Sequence, residues 1–136
     1  MRCGKVRRRV YASLISACGQ RGAANEMAKP VEFLGRSLED LRAFPAGARR
    51  EAGYQLDRVQ SGLEPDDWKW MNTIGTGARE IRIRNDTGAY RVVYVASIGD
   101  TIYVLHAFQK KTRATSKRDI EVATARFRVL QRRNTS

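Results

Sequence analysis

The order of hydrophobic and polar residues predicts a short strand and two helices near the start of the regular part of the chain. Residues 30–34 (P-V-E-F-L) alternate apolar and polar side chains, as in a half-buried strand. Leucine and phenylalanine recur at helical spacing over residues 38–44, and Ser37 precedes them as a predicted N-cap. Pro45 then begins a second predicted helix, which runs from about 46 to 61.

Three strand patterns and a last helical pattern fill the second half of the chain. The strands are predicted over residues 79–84, 89–96 and 101–108, and the turn sequences N-D-T-G and G-D separate them. Short turns between successive strands predict an antiparallel meander. Residues 117–133 carry apolar side chains at helical spacing, so this helix can pack on the sheet. Residues 63–77 have no regular pattern and are predicted to be irregular.

Together these elements predict an α+β fold. We expect an antiparallel β-sheet formed by a short N-terminal strand and the three-stranded meander, with an N-terminal helical pair and a C-terminal helix. Two tryptophans, Trp68 and Trp70, fall in the irregular stretch. They either plug the edge of the core or stack on unpaired bases.

The charge distribution adds a functional indication, because the second half of the sequence is strongly basic. The formal net charge is +12, from 26 lysines and arginines against 14 acidic residues. Residues 78–136 carry thirteen basic and five acidic side chains, which is typical of a protein that binds a polyanion, although a merely soluble basic protein is the alternative. The length of 136 residues fits one domain, and two cysteines with one histidine are too few for a zinc site or a disulfide framework.

Residues 1–28 are predicted to lie outside this domain, as a disordered extension or an over-long gene start. A basic cluster precedes an apolar run from Val10 to Cys18, which is too short to span a bilayer and leaves a processed export signal as the alternative. Residues 29–136 are predicted to form the single domain. With no membrane-spanning stretch and no disulfide framework, the expected location is the cytoplasm.

Basic side chains are predicted to converge on one face of the meander. Arg82 and Arg84 point the same way from its first strand, and pairing through the intervening turn brings Arg91 beside them. Like charges side by side are unfavourable, so the cluster indicates either an anionic partner or compensating acids, for which Glu80 and Asp86 are candidates. A ladder of salt bridges on a solvated face is the alternative interpretation.

A second basic group follows the last strand. Residues 109–118 (Q-K-K-T-R-A-T-S-K-R) contain five basic and three hydroxyl side chains and lead into the final helix. Ser116 is predicted to cap that helix, and helix-terminal amides next to lysines are groups that bind phosphate. An ordinary solvated connection is the alternative.

Other catalytic signatures are missing from the sequence. It contains no Gly-rich phosphate loop, no nucleophile elbow and no metal-binding pair of acids, and Asp66-Asp67 is predicted to cap a turn. His106 lies in an apolar strand and is predicted to share a face with Ile102, Val104 and Phe108. A histidine in that position is more typical of the core or the sheet edge than of a catalytic base.

The order of elements, together with the stretches G-A-Y-R-V-V-Y-V and Y-V-L-H-A-F-Q-K-K-T, resembles the RelE/ParE toxin superfamily in its HigB-like, phage-derived branch. The likeness covers about Lys29 to Leu130. It implies a toxin of a type II toxin–antitoxin system that acts as a ribosome-dependent endoribonuclease, an mRNA interferase, without metal or other cofactor. It also implies a helix-turn-helix, HigA-like antitoxin, contact with ribosome and mRNA, binding of operator DNA only as the toxin–antitoxin complex, and no membrane association.

The resemblance further implies which residues act. Arg91 matches the strand arginine that contacts the scissile phosphate. Arg82 matches a basic residue implicated in proton transfer or phosphate binding, and Lys111 matches the basic residue after the last strand. These three are the catalytic candidates. The additional candidates for RNA binding are Arg84, Lys110, Arg113 and Lys117.

Two positions depart from the RelE pattern and leave the general base open. Glu80 stands where RelE-type members carry a lysine, and Lys117 falls where some carry a tyrosine. A lysine crowded by cations can have a lowered pKa and exchange a proton. Lys110 and Lys111 are therefore the candidates for the base, with His106 in reserve.

Two other functions on this fold stay open. A ParE-like toxin inhibits DNA gyrase without hydrolysis, and a non-enzymatic regulator acts on operator DNA together with its antitoxin. The basic second half of the chain suits a nucleic-acid partner in general, while the phosphate-facing cluster favours RNA cleavage.

Overall fold

The computed structural model describes residues 28–135. The predictions for the opening of the chain, an extension, an over-long start or an export signal, lie outside the described residues. Every element expected from the sequence within the described range is present, and one further strand is added. The elements in chain order are β1 (Val31–Phe33), α1 (Ser37–Arg42), α2 (Ala46–Gln60), β2 (Trp68–Trp70), β3 (Ala78–Asn85), β4 (Gly88–Ile98), β5 (Thr101–Lys110) and α3 (Lys117–Thr135).

The five strands form one sheet in the order β1-β5-β4-β3-β2. Strands β3, β4 and β5 form the expected antiparallel meander, so the predicted α+β class is confirmed. The sheet is mixed rather than entirely antiparallel, because β1 runs parallel to β5 with Val31 opposite Ile102. Strand β2 pairs with β3 in a stretch predicted to be irregular; its three residues are too few for a sequence pattern to indicate a strand.

Both faces of the sheet are covered, which explains why β4 and β5 are apolar on both sides. We call the side under the two N-terminal helices the α1/α2 face. Its core includes Leu41, Leu56, Ile81 and Tyr94. We call the opposite side the α3 face. There Val93, Val95, Leu105, Phe127 and Leu130 pack together with part of the segment between β2 and β3.

A β-bulge in β5 changes which side chains share a face. Val93 pairs with His106 and the next residue, Tyr94, pairs with Val104, so Leu105 is an extra residue in β5. A bulge of one residue reverses the alternation beyond it. The prediction of which residues share a face with His106 is therefore wrong for Ile102 and Val104, which lie on the α1/α2 face, and confirmed for Phe108, on which His106 stacks on the α3 face.

The predicted N-cap of α1 is also wrong. The helix begins at Ser37, Arg36 occupies the N-cap position, and no side chain caps the first turn. The hydroxyl of Ser37 is buried and donates instead to the carbonyl oxygen of Val104, at 3.2 Å. The serine therefore fastens α1 to β5, because a buried hydroxyl needs a hydrogen-bond partner and the carbonyl of Val104 supplies it.

Candidate functional site

The site lies on the α3 face, where β3, β4 and β5 run side by side. Arg82 of β3 is directly opposite Arg91 of β4, and Ala89 of β4 is directly opposite Lys110 of β5. Because alternate residues of a strand point to the same face, Arg84 joins them. We call Arg82, Arg84, Arg91 and Lys110 the cationic cluster. The predicted convergence of the β3 and β4 arginines on one face is thus what the strand register produces.

Glu80 lies beneath this cluster and is fully buried, with 0% of its surface exposed. Its Oε2 accepts a hydrogen bond of 2.8 Å from the hydroxyl of Thr115, which belongs to the connection before α3. Its Oε1 lies 3.5 Å from Nε of Arg91 and 4.0 Å from Nζ of Lys69. A buried carboxylate is stable only when it is compensated, and these cations and the hydroxyl supply that compensation.

Arg91 is 4% exposed, so its guanidinium is held by the protein rather than by water. Nη1 donates to the carbonyl oxygen of Tyr90 at 2.9 Å, and Nε faces Glu80 without forming a hydrogen bond. Burial lowers the pKa of Arg91, Glu80 raises it, and Arg82 and Arg84 lower it further. Arginine stays protonated despite such shifts, so Arg91 is a fixed positive charge in a partly desolvated place.

Arg82 is compensated by a residue that sequence reasoning assigned elsewhere. Its Nε donates to Oδ1 of Asp67 at 3.0 Å, and Nη2 lies 2.9 Å from the same oxygen. Asp67 thus does more than the turn cap predicted for it, and it takes the compensating role proposed for Asp86. The sequence did not predict this contact, because the two residues are 15 positions apart and the pairing of β2 with β3 brings them together.

The two lysines at the end of β5 are placed differently. Lys110 belongs to the cluster, and its ammonium group donates to the carbonyl oxygen of Arg113. Desolvation, and after it the charge of Arg91, lower the pKa of Lys110. Lys111 is exposed and, like Lys110, borders a small cavity of about 190 Å³. The structure therefore brings Lys110 to Arg91 and Arg82, whereas Lys111 stands beside them.

The other RNA-binding candidates come from β3, from the connection between β5 and α3, and from the start of α3. Arg84, Arg113 and Lys117 are exposed. Arg84 is on the same face as Arg82, and Arg113 is connected to Lys110 through its backbone carbonyl. Thr115 and Lys69 are site residues that sequence reasoning missed. Thr115 lies in the basic, hydroxyl-rich segment singled out above, but nothing in that pattern indicates a bond to Glu80 across 35 positions.

The predicted cap of the C-terminal helix is confirmed. Oγ of Ser116 accepts a hydrogen bond of 3.1 Å from the amide of Asp119, and the hydroxyl donates to Oδ2 of Asp119 at 2.7 Å. The carboxylate of Asp119 also lies favourably at the positive end of the helix dipole. The amide of Asp119 is thus occupied by a protein oxygen and is not open to an anion.

His106 is a buried neighbour of the site rather than an open base. It is 8% exposed, its Nε2 lies 2.8 Å from Oδ1 of Asp119, and its ring stacks on Phe108. Nδ1 is buried and has no hydrogen-bond partner among the described residues. Burial lowers the pKa of His106, and the opposing effect of Asp119 is smaller. The neutral ring therefore donates from Nε2 to Asp119.

The tryptophans lie away from the cluster, at the β2 edge of the sheet. Their rings meet edge to face with centroids 5.1 Å apart. The guanidinium carbon of Arg79 lies 4.5 Å from the Trp68 ring and 4.7 Å from the Trp70 ring. Trp70 is 52% exposed. Both tryptophans belong to a strand, and stacking of unpaired bases on them stays a prediction.

A comparison with family models shows which protein family the chain belongs to. Residues 39–128, about two-thirds of the chain, match the family described as "Phage derived protein Gp49-like (DUF891)". The chain belongs to this Gp49-like family. A comparison with curated proteins finds no match.

The Gp49-like family is a toxin family of toxin–antitoxin systems, of RelE/HigB type, so an antitoxin is the implied partner. Toxins of this family are generally RNases of the RelE superfamily. The matched segment includes β2 to β5 and most of α3, and with them Glu80, the cationic cluster and Thr115. None of the helices in residues 28–135 has the length and apolar character needed to cross a membrane.

Protonation of His106 gives this Gp49-like protein a pH dependence that can be measured. The folded state holds the pKa of His106 below its ordinary value of 6.5, so the unfolded chain binds the proton more readily as the pH falls. The contribution of His106 is complete above about pH 6.5 and declines below it. We expect the urea midpoint to fall between pH 6.5 and pH 5.5, and the His106→Gln variant to lose part of that decline. An identical decline in the variant would contradict this assignment.

Proposed function

We propose that this Gp49-like toxin is an endoribonuclease that cuts mRNA on the ribosome, with side chains of the cationic cluster acting on the scissile phosphate. The observation that carries the proposal is the residue-to-residue pairing of Arg82 with Arg91 on one face, with Lys110 on the neighbouring strand. Within residues 28–135, the carboxylates that compensate these three cations are Glu80 and Asp67. An RNA phosphate is an anion that fits such a place.

The proposed reaction begins with the ribose 2′-oxygen, which loses its proton to a base and attacks the adjacent phosphorus. The bond from phosphorus to the leaving 5′-oxygen breaks, and that oxygen takes up a proton. The products are a 2′,3′-cyclic phosphate and a free 5′-hydroxyl. Negative charge accumulates on the phosphoryl oxygens between these steps. Arg91 and Arg82 stabilise that charge, because preorganised cations in a desolvated site act more strongly than in water.

Lys110 is the side chain we propose for proton transfer. Desolvation and the neighbouring Arg91 lower its pKa, so a larger share of its amine is neutral than in an ordinary lysine. A neutral amine accepts the 2′-hydroxyl proton. Lys111 stays a second candidate because it borders the same small cavity as Lys110. His106 is disfavoured, since Asp119 engages one ring nitrogen and the other is buried.

Primer extension on total RNA after brief induction tests this function. We expect new 5′ ends inside translated codons within minutes, and none when translation is blocked before induction. A Lys110→Met variant should lose most of this cleavage and should no longer arrest growth, and Lys111→Met should retain more activity. Purified protein with ribosomes and mRNA should give the same ends.

Three results would contradict the proposed ribosome-dependent RNase function. Growth arrest with intact transcripts and inhibited supercoiling would select the gyrase-inhibiting alternative. Tight binding of operator DNA by the purified toxin alone, without RNA cleavage, would favour the regulator. Cleavage of protein-free RNA at the same rate as ribosome-bound mRNA would contradict the dependence on the ribosome.

A further inference from the structure

The carboxylate of Glu80 has no route to solvent, yet it contacts two elements of the site at once. One oxygen faces Nε of Arg91 at 3.5 Å, and the other accepts the Thr115 hydroxyl at 2.8 Å. The side chain is 0% exposed. A substrate cannot reach a carboxylate that is enclosed in this way, so any influence of Glu80 on the reaction passes through the residues that it holds.

The orientation of Arg91 follows from two of these contacts. Nη1 is committed to the carbonyl oxygen of Tyr90, and Nε is directed at Glu80. In the described part of the chain, Nη2 has no hydrogen-bond partner. One end of the guanidinium is thus fixed by its own strand and by Glu80, and the remaining nitrogen is the group left for an anion.

The contact between Glu80 and Arg91 is an ion pair without a hydrogen bond. Both Oε1 of Glu80 and Nε of Arg91 are buried and lack hydrogen-bond partners within residues 28–135. Burial without full pairing is costly, so such a pair is a place where the fold gives up stability. The same carboxylate reduces the repulsion that Arg91 experiences from Arg82 and Arg84.

Thr115 extends this arrangement to the connection between β5 and α3. Its hydroxyl is bonded to Glu80, and the next residue, Ser116, caps α3. Lys110 is attached to the same connection through the carbonyl oxygen of Arg113. Glu80 is therefore the common point through which Arg91 and the Lys110 side of the site are held in register.

We propose that Glu80 is a positioning residue, which orients Arg91 toward the scissile phosphate and, through Thr115, fixes the connection that carries Lys110. This inference rests on the proposed function, and it assigns Glu80 no proton transfer. It predicts that substitution of Glu80 lowers kcat without raising KM. Loss of the negative charge makes the site more cationic, so RNA binding is kept or strengthened. Loss of orientation slows the chemical step, which depends on placement within about 1 Å.

Steady-state cleavage of ribosome-bound mRNA by Glu80→Gln and Thr115→Val tests the proposal. We expect kcat to fall by about 10- to 100-fold in the first variant and about tenfold in the second, with KM unchanged or lower. The pH profile should keep its shape, because no titrating catalytic group is removed. Glu121→Gln is the matched control: it removes the same charge from an exposed position of α3 and should behave as wild type.

A double-mutant cycle separates action through Arg91 from an independent effect. In an Arg91→Lys background, Glu80→Gln should cost much less than in the wild type, since its effect depends on the guanidinium. Full additivity would overturn the proposal. So would an unchanged kcat in Thr115→Val, a KM increase equal to the kcat loss, or disappearance of one limb of the pH profile in Glu80→Gln.

A spectroscopic measurement keeps the inference testable if the wild-type protein cuts no RNA, an outcome that would refute the proposed function alone. The Nε–H signal of Arg91, assigned by its absence in Arg91→Lys, should exchange slowly with solvent in the wild type. It should lose that protection in Thr115→Val and in Glu80→Gln. Thr115→Val decides the matter if Glu80→Gln does not fold. Unchanged protection in the valine variant would overturn the positioning role.

Discussion

Replacing Arg91 by alanine is expected to slow mRNA cleavage by about 100- to 1,000-fold, the range measured when one preorganised donor is removed from the site of developing charge. Arg91 is the most buried cation of the cluster and has one guanidinium nitrogen left for the phosphate. Cleavage is measured by primer extension in a reconstituted translation reaction. The antitoxin-free protein should also lose its effect on growth.

The same substitution is expected to destabilise the fold, which has to be separated from its effect on catalysis. Removal of Arg91 leaves the buried carboxylate of Glu80 with Lys69 at 4.0 Å as its nearest cation. Breaking a buried pair in this way costs about 3 kcal/mol. Arg91→Lys keeps the charge and should retain more stability while still cleaving poorly, because an ammonium group lacks the planar fork.

Arg128→Ala is the matched control for Arg91→Ala. Arg128 is an exposed residue of α3 outside the cationic cluster, and its substitution removes the same charge. We expect wild-type cleavage and stability from this variant. Cleavage by a folded Arg91→Ala protein at a rate within a few-fold of the control would refute the assigned role.

Phe127→Ala is expected to have the largest effect on stability, about 3–5 kcal/mol. Phe127 is a buried residue on the inner side of α3, and it belongs to the core that joins this helix to the sheet. The backbone of Gly75 approaches its ring so closely that a Cβ there would lie 2.2 Å from Cε2 of Phe127. The void left by alanine is therefore bordered by backbone atoms, which shift too little to fill it.

Urea unfolding measures this cost, with Val129→Ala as the control on the same helix. Val129 is 45% exposed, so its truncation removes little buried surface and should change stability by less than about 0.5 kcal/mol. Equal losses in the two variants would show that α3 is not docked through Phe127. Because α3 begins two residues after Thr115, a partly undocked helix should also reduce cleavage.

The elements of the fold were predictable because their signals are local. The apolar positions of α3, the alternation of β3 and the turn N-D-T-G each lie within a few residues of one another, and all three are observed as expected. Strand β2 was missed because three residues carry too little periodicity. The N-cap of α1 was wrong because Ser37 satisfies the distant carbonyl of Val104 instead of its own helix.

The candidate site, like the fold, was predictable where its geometry depends on neighbouring residues. Arg82 and Arg91 face each other because a two-residue turn fixes the register of the two strands that it joins. That register depends only on the residues of the hairpin. Contacts across the fold were not predictable. Asp67 reaches Arg82 through the unforeseen β2, and Thr115 reaches Glu80 from the far side of the meander.

Sequence alone determined the α+β class, the strand register at the first hairpin and a basic surface, since periodicity, turn chemistry and charge act over short distances. Tertiary structure alone decided which lysine joins that surface. The extra residue Leu105 reverses the alternation of β5, so Lys110 rather than Lys111 points to the face of Arg91. A bulge is set by packing on both faces of the sheet, and a one-residue shift in alternation leaves no trace in composition or spacing.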